Sequence, residues 1–200
     1  MTVDAAGTGA KPWQPVLDFW FLTPDNADHG KSRPEWFRKD PAFDESIRAR
    51  FAAMIERAVA GGYREWDIDL HGALARIILL DQFTRNVFRD TPRAFAGDPL
   101  AEEAALAMIE SGRDRLLHPL ERWFVYLPLE HAEDLEIQER SLGLFAALAK
   151  DEGMGDIMQY AQRHRDIIAR FGRFPHRNKI LGRPSTPEEV EFLKQPGSGF

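Results

Sequence analysis

Cysteine is missing altogether from the 200 residues, which excludes disulfides, thiolate nucleophiles and cysteine-held metals. Long apolar runs are missing too. None approaches the roughly 18 residues that a membrane-spanning helix needs, so no membrane partner is expected. Residues 1–11, MTVDAAGTGAK, have neither a basic start nor an apolar stretch and do not read as a signal peptide; the expectation is a soluble, cytoplasmic protein. Positive charge is in deficit: 26 Lys and Arg stand against 32 Asp and Glu, a formal net charge of -6. That balance gives no general pull toward nucleic acid, and no nucleic-acid partner is expected. GxGxxG, GxxxxGK[ST] and GxSxG are absent as well, so the chain carries neither a phosphate-cradling fingerprint nor a serine-nucleophile elbow. No segment alternates polar and apolar residues as a half-buried strand would.

What is present is helical periodicity in a chain that is 44% hydrophobic, enough for one ordinary core. The expected organisation is a flexible segment over 1–11, a single helical domain over 12–195 and a tail over 196–200. Trp13 to Leu22 is dense in aromatic and aliphatic groups and fits a short buried helix. Asp40-Pro41 supplies an N-cap and a first-turn proline for a helix carrying Ile47, Phe51, Met54, Ile55, Ala58 and Val59 on one face, stopped by Gly61-Gly62. Leu70 to Phe83 is apolar nearly all round and predicts a central helix, with a buried strand over Ile77 to Leu80 as the competing reading. Asp98-Pro99 marks another helix start, and Pro119 opens Leu120 to Leu127. Pro128 is expected to kink or break the chain, with a long helix following from about Leu129 to Lys150. Asp156 to Phe171, ended by Gly172, is the last long helix, and Thr186-Pro187-Glu188-Glu189 is a capping box. The class is all-α with about eight helices.

Chemistry is sought where polar groups fall on positions that the period assigns to the core. Leu127, His131, Leu135, Gln138, Leu142 and Phe145 share one expected seam, interrupted by His131 and Gln138. His164 interrupts Ile157, Tyr160, Ile168 and Phe171. Asp81 follows Leu74, Ile77 and Ile78 on one face. Each such group costs roughly 1–3 kcal/mol if buried without a partner, so these groups should meet one another or a ligand. Glu130, Glu133 and Asp134 crowd into about one turn and call for positive compensation, with Arg85, Arg173, Arg177 and Arg183 as candidates. Three readings fit: an ion-pair network pinning helices, a pocket for a small anionic molecule, or a metal site. The third lacks HExxH and any paired ExxH motif, and no metal is assigned. Ser141 reads as a packing or surface residue, His118 and His71 as cap or loop histidines, His29 as solvated.

LLDQFTRNVFRDT (79–91), RWFVYLPLEHAEDLEIQ (122–138) and HRDIIARFGRFPHRNKILGRPSTPEEVEFL (164–193), with VLDFWF (16–21), resemble the bacterial family catalogued as domain of unknown function 924. The resemblance covers about Pro15 to Leu193; one departure is Thr84, where the family pattern has proline. It implies a tetratricopeptide-like fold of antiparallel helices stacked as an α-α superhelix. It also implies that Asp81, Gln82, Arg85, Asn86, His131, Glu133, Asp134, Gln138, His164, Arg173, His176, Arg177 and Asn178 lie in shared motifs, and it brings no reaction and no cofactor. Two functional expectations result. One is a small-anion site, hydrolytic or lyase-like if catalytic, with Arg85, Arg173 and Arg177 clamping the anion and His131 or His164 as acid or base; Asp81, Gln82, Asn86, Glu133, Asp134, Gln138, His176 and Asn178 complete the ligand-binding set. The other is a scaffold that takes a peptide or protein segment in a helical groove, an analogy from fold alone. Either way Arg173, His176, Arg177 and Asn178 are expected to fold back on the acidic turn at 130–134.

Overall fold

The structure, a computed structural model, describes residues 11–151 and 153–199. Of the flexible segment expected over 1–11, only Lys11 lies within the described residues, and its ammonium reaches Asp69 at 3.2 Å. The regular elements among the described residues are all helical: α1 (Gln14–Trp20), α2 (Pro41–Val59), α3 (Leu70–Ile78), α4 (Thr84–Val87), α5 (Asp98–Glu110), α6 (Pro119–Glu130), α7 (Leu135–Leu148), α8 (Ile157–Phe171) and α9 (Pro187–Leu193). A π-helical turn, Leu79–Phe83, joins α3 to α4 without a break, so these nine segments form eight rods. None is long and apolar enough to cross a membrane.

Local chemistry accounts for most of the boundaries. The Asp40 carboxylate accepts from the N–H groups of Ala42 and Phe43 ahead of Pro41, and Thr186 and Glu189 form a reciprocal capping box at the start of α9. Gly172 ends α8 at φ 68°, a left-handed conformation that glycine adopts at least cost. One boundary differs from expectation. Pro128 lies inside α6, and the chain breaks only after Glu130. A proline forfeits its own amide bond, but here the forfeited bond belongs to the last turn of the helix. The Gln138 side chain closes that end by donating to the carbonyls of Glu130 (2.6 Å) and Ala132 (2.8 Å). The long helix expected from Leu129 to Lys150 is therefore three pieces, the end of α6, a turn over 131–134 and α7. α5 starts at Asp98, as expected. Gly97 holds the cap position, pressed so close to α3 that a Cβ there would lie 2.1 Å from the Leu80 carbonyl oxygen.

The central rod is α3, packed against α1, α5 and α6, with Leu74, Ile77, Ile78, Leu79, Leu80 and Phe83 fully buried. Each such side chain contributes about 1.5–3 kcal/mol by leaving water. Trp20 of α1 stacks on Trp36 at 5.7 Å and meets Phe83 and Phe124 edge-on, tying the N-terminal helix to α3 and α6. A second, smaller cluster of Ile167, Ile168 and Phe174 is flanked by Phe171 and Phe192 and anchors the C-terminal segment to α8. Tyr160 and Leu135, expected on buried seams, are 51% and 45% exposed. Tyr160 keeps the helical register but faces outward; Leu135 opens α7, just after the turn that ends the seam.

Candidate functional site

The π-helical turn inserts one residue into the α3 ladder, which releases backbone carbonyls and re-aims the side chains beyond it. Those carbonyls are taken up locally. The Thr84 hydroxyl donates to Leu80 O (2.7 Å), and Arg85 Nη1 donates to Asp81 O (2.8 Å). Asp81 itself is fully buried. Its Oδ1 meets His131 Nδ1 at 2.7 Å and Arg85 Nη1 at 2.8 Å, and its Oδ2 accepts from Gln82 Nε2 at 2.5 Å. Burial alone would push this carboxyl up, but the charge of Arg85 and the hydrogen bonds from His131 and Gln82 outweigh it and hold Asp81 well below the usual carboxylate range. An ionised Asp81 can only accept, so His131 carries its hydrogen on Nδ1 and leaves the Nε2 lone pair free. Burial, and then Arg85, lower the His131 pKa in spite of Asp81, so the ring is neutral at physiological pH.

Around this dyad stand two arginines and a second dyad. Arg85 grips Asp98 with both Nη atoms (2.9 and 3.0 Å). Arg177, in a 3-10 turn over Pro175–Arg177, donates to the His131 carbonyl (3.0 Å) and lies 3.6 Å from the same Asp98. Its guanidinium sits between Phe95 (4.7 Å) and Phe174 (4.5 Å). Burial and the neighbouring Arg85 push it down to about 10. His164 Nδ1 lies 2.7 Å from Glu130 Oε1 and 2.9 Å from the Tyr160 carbonyl, both acceptors, so this ring too carries its hydrogen on Nδ1. The two histidine rings are 6.2 Å apart. His176 is pushed down to about 4 by burial, Arg177 and His164. These groups border a cleft of about 750 Å³ whose walls come from α4, α6, α8 and the loops after α1 and α8. Arg38, Lys39, Arg85, Arg89, Arg163 and Arg177 line it together with Asp90 and Glu130, and Asp44, Asp81 and Asp98 stand behind Arg89, Arg85 and Arg177, so the lining is rich in basic side chains, most of them matched by a carboxylate.

The model of a family described as a bacterial protein of unknown function (DUF924) matches residues 16–197. The chain belongs to this family. Comparison with curated proteins gave no match. A solved structure of a protein of unknown function, ATU0120, from Agrobacterium tumefaciens is similar, with 39% sequence identity, 91% of this chain and 96% of that one covered, and a TM-score of 0.78.

In this DUF924 protein the residues singled out in the sequence divide into two groups. Gln82, Arg85, Asn86, His131, His164, His176 and Arg177 line the cleft, with Asp81 directly behind His131. The rest are held elsewhere. Asp134 caps α7 by accepting from the Ile137 N–H, which removes it from the acidic crowd. Glu133 accepts from the Phe174 N–H and pairs with both Nη atoms of Arg183. Gln138 is spent on the end of α6. Arg173 pairs with Glu189 (2.7 Å) and the Pro184 carbonyl (2.9 Å), not with the acidic turn, because Gly172 aims it toward α9. Asn178 donates to Ser185 and Glu189 and accepts from Arg183. The fold-back onto 130–134 therefore runs through Phe174, Arg177 and Arg183, while Arg173 and Asn178 lock the segment to α9. No group of three or more His, Asp or Glu among the described residues is placed to hold a metal ion.

Asp98, Asp44 and Arg89 escaped sequence reasoning as site residues, as did Phe37, Arg38, Lys39 and Arg163 of the cleft lining. Asp98 was read only as part of a helix start and is also the shared carboxylate of Arg85 and Arg177. Asp44, on α2, accepts from Asn86 (2.7 Å) and from both arms of Arg89 (2.6 and 3.0 Å). Arg89 stands four residues beyond Arg85 in the 79–91 motif, and that spacing was the available signal. Asp44 gave none, since its partners lie more than 40 residues away in sequence.

Proposed function

We propose that this protein binds a small anionic molecule in the cleft and that His131 exchanges a proton with it. The reading is supported above all by the Asp81–His131 pair at the wall of a cleft lined by basic side chains. A neutral imidazole, fixed in one tautomer by a buried carboxylate, offers Nε2 to the cleft as a base or hydrogen-bond acceptor. Arg177 supplies positive charge from beside it, and its Nε–H has no acceptor among the described residues. Exposed Arg38 makes no ion pair among the described residues, and the Lys39–Asp90 pair is open to solvent on both sides, so both cations are available at little cost. Asp81, Arg85, Asp98 and Asn86 keep His131 and Arg177 in place. Glu133, Asp134, Gln138, Arg173 and Asn178 serve as the structural network that holds the cleft walls together.

The test is calorimetric titration and thermal shift with inorganic phosphate, pyrophosphate and citrate. A ligand at 100 times its Kd stabilises by about 2.7 kcal/mol, well within reach of a thermal-shift measurement. Double substitution of Arg38→Ala and Lys39→Ala, both exposed, should weaken binding while leaving the unliganded melting temperature unchanged. No shift from any of the three anions at 10 mM, a probe concentration of about 10 mM being ample for a site of physiological use, would sink the proposal. The alternative partner is a peptide segment, favoured by the openness of the cleft and its exposed rings; an acidic peptide that binds where the small anions do not would favour it. A cytoplasmic location belongs to the same reading, and cell fractionation tests it.

A further inference from the structure

We infer that the anion bound in this cleft carries a planar ring, so that its natural ligands are aryl- or nucleotide-like phosphates or carboxylates. The inference rests on the anion-binding reading above and adds the other half of the ligand. Six large hydrophobic side chains are exposed among the described residues, and the two aromatic ones, Phe37 (52%) and Tyr160 (51%), both line the cleft, whereas Ile68, Leu116, Leu135 and Val190 do not. Phe37 is built as a ledge: it stacks on Trp123 at 4.8 Å with 27° between planes, and Trp36 supports it edge-on at 6.2 Å. A ring held in this way keeps its orientation and presents a π face at little further entropic cost.

The remaining lining argues for a ring over an acyl chain. Aliphatic contacts are few, chiefly Leu127 and Ile180, against five aromatic residues. Phe95 is already committed, with Arg177 at 4.7 Å and Arg85 at 5.8 Å over its face; Phe37 and Tyr160 are the exposed aromatics. Arg38 and Lys39 follow Phe37 directly in sequence, so ring ledge and solvent-exposed cations belong to one short segment and can serve one bound molecule. A cleft of about 750 Å³ falls in the range of small-molecule sites.

The experiment compares matched probes by titration calorimetry on the full chain: phenyl phosphate against methyl phosphate, benzoate against acetate, and AMP against ribose 5-phosphate. The ringed member of at least one pair should bind about tenfold tighter, as expected for one ordered aromatic contact. Phe37→Ala, a half-exposed position that the fold tolerates, should erase most of that preference and leave the ringless partner's affinity unchanged; Tyr160→Ala is the second variant. If ringless anions bind and no pair shows a preference, or the preference survives both substitutions, the ring inference falls and the anion site stands. If no probe of either kind binds, both fall.

Discussion

Replacing Asp81 by Asn keeps the shape of the side chain and removes its charge from the most enclosed point of the site. At an effective dielectric of about 20, unit charges at the 2.8 Å of the Arg85–Asp81 contact attract by roughly 6 kcal/mol. Much of that is offset in the native protein by the cost of burying the carboxylate. Breaking a buried pair from one side typically costs about 3–5 kcal/mol. Arg85 retains its two contacts to Asp98, so a loss near the lower limit, about 3 kcal/mol, is expected. Urea unfolding followed by circular dichroism at pH 7 measures it, and a cycle with Arg85→Gln should return a coupling above about 1.5 kcal/mol. The sign of the pH dependence is fixed: the folded pKa of Asp81 is depressed, so its contribution is fully present above about pH 4, the unfolded value, and fades as pH falls through the folded pKa. The gap between wild type and variant should therefore close in acid. The His131 pKa, which Asp81 raises against burial and Arg85, should fall further in the variant when followed by NMR. A destabilisation under 1 kcal/mol, additive with Arg85→Gln, or an unchanged His131 titration, would refute the claim that these three groups act as one unit.

Acid should weaken the protein well before its carboxylates titrate. His176, pushed to about 4, and His131, also lowered, both favour the neutral form in the fold, so stability is complete above about pH 6.5 and is lost as pH falls toward 4. For His176 the loss approaches roughly 3 kcal/mol, and denaturant midpoints at pH 7.5 and 4.5, compared with those of His176→Gln, measure it. Gln138→Ala should cost about 2 kcal/mol by leaving the carbonyls at the end of α6 unsatisfied, with anion affinity per folded molecule unaltered. Gly97→Ala should cost roughly 3 kcal/mol or prevent folding, because the new methyl meets the Leu80 carbonyl; thermal melts decide, and an unaltered melting temperature would show that α5 can shift.

The parts of this molecule legible in its sequence are those decided within a few residues. Asp40-Pro41, Thr186-Pro187 and Gly172 announce caps and stops that depend only on neighbouring amides, and they stand where expected. The inward aim of Asp81, His131 and His164 follows from polar residues on apolar stripes. Pro128 was misleading because the cost of a proline depends on its place in the helix and on whether a distant side chain, here Gln138, restores the end. Asp134 was misassigned because a merged helix hid its role as a cap. Asp98 and Asp44 owe their roles to arginines brought to them by tertiary packing, which no local spacing encodes, and the same holds for the Arg173 contact that Glu189 adds to its local cap. The π-helical turn was equally invisible, since its carbonyls are satisfied by Thr84 and Arg85, residues that suit a regular helix as well.

The two apolar clusters also set an order of assembly. The principal core draws on residues from Trp13 to Ala161, whereas the small cluster of Ile167, Ile168 and Phe174 needs Phe192 from α9. On a ribosome the body can condense while the C-terminal wall of the cleft is still being made. The C-terminal wall of the cleft, with His176 and Arg177, lies in the segment between α8 and α9, and a nick between Gly172 and Pro187 would cut that wall while leaving the principal core continuous.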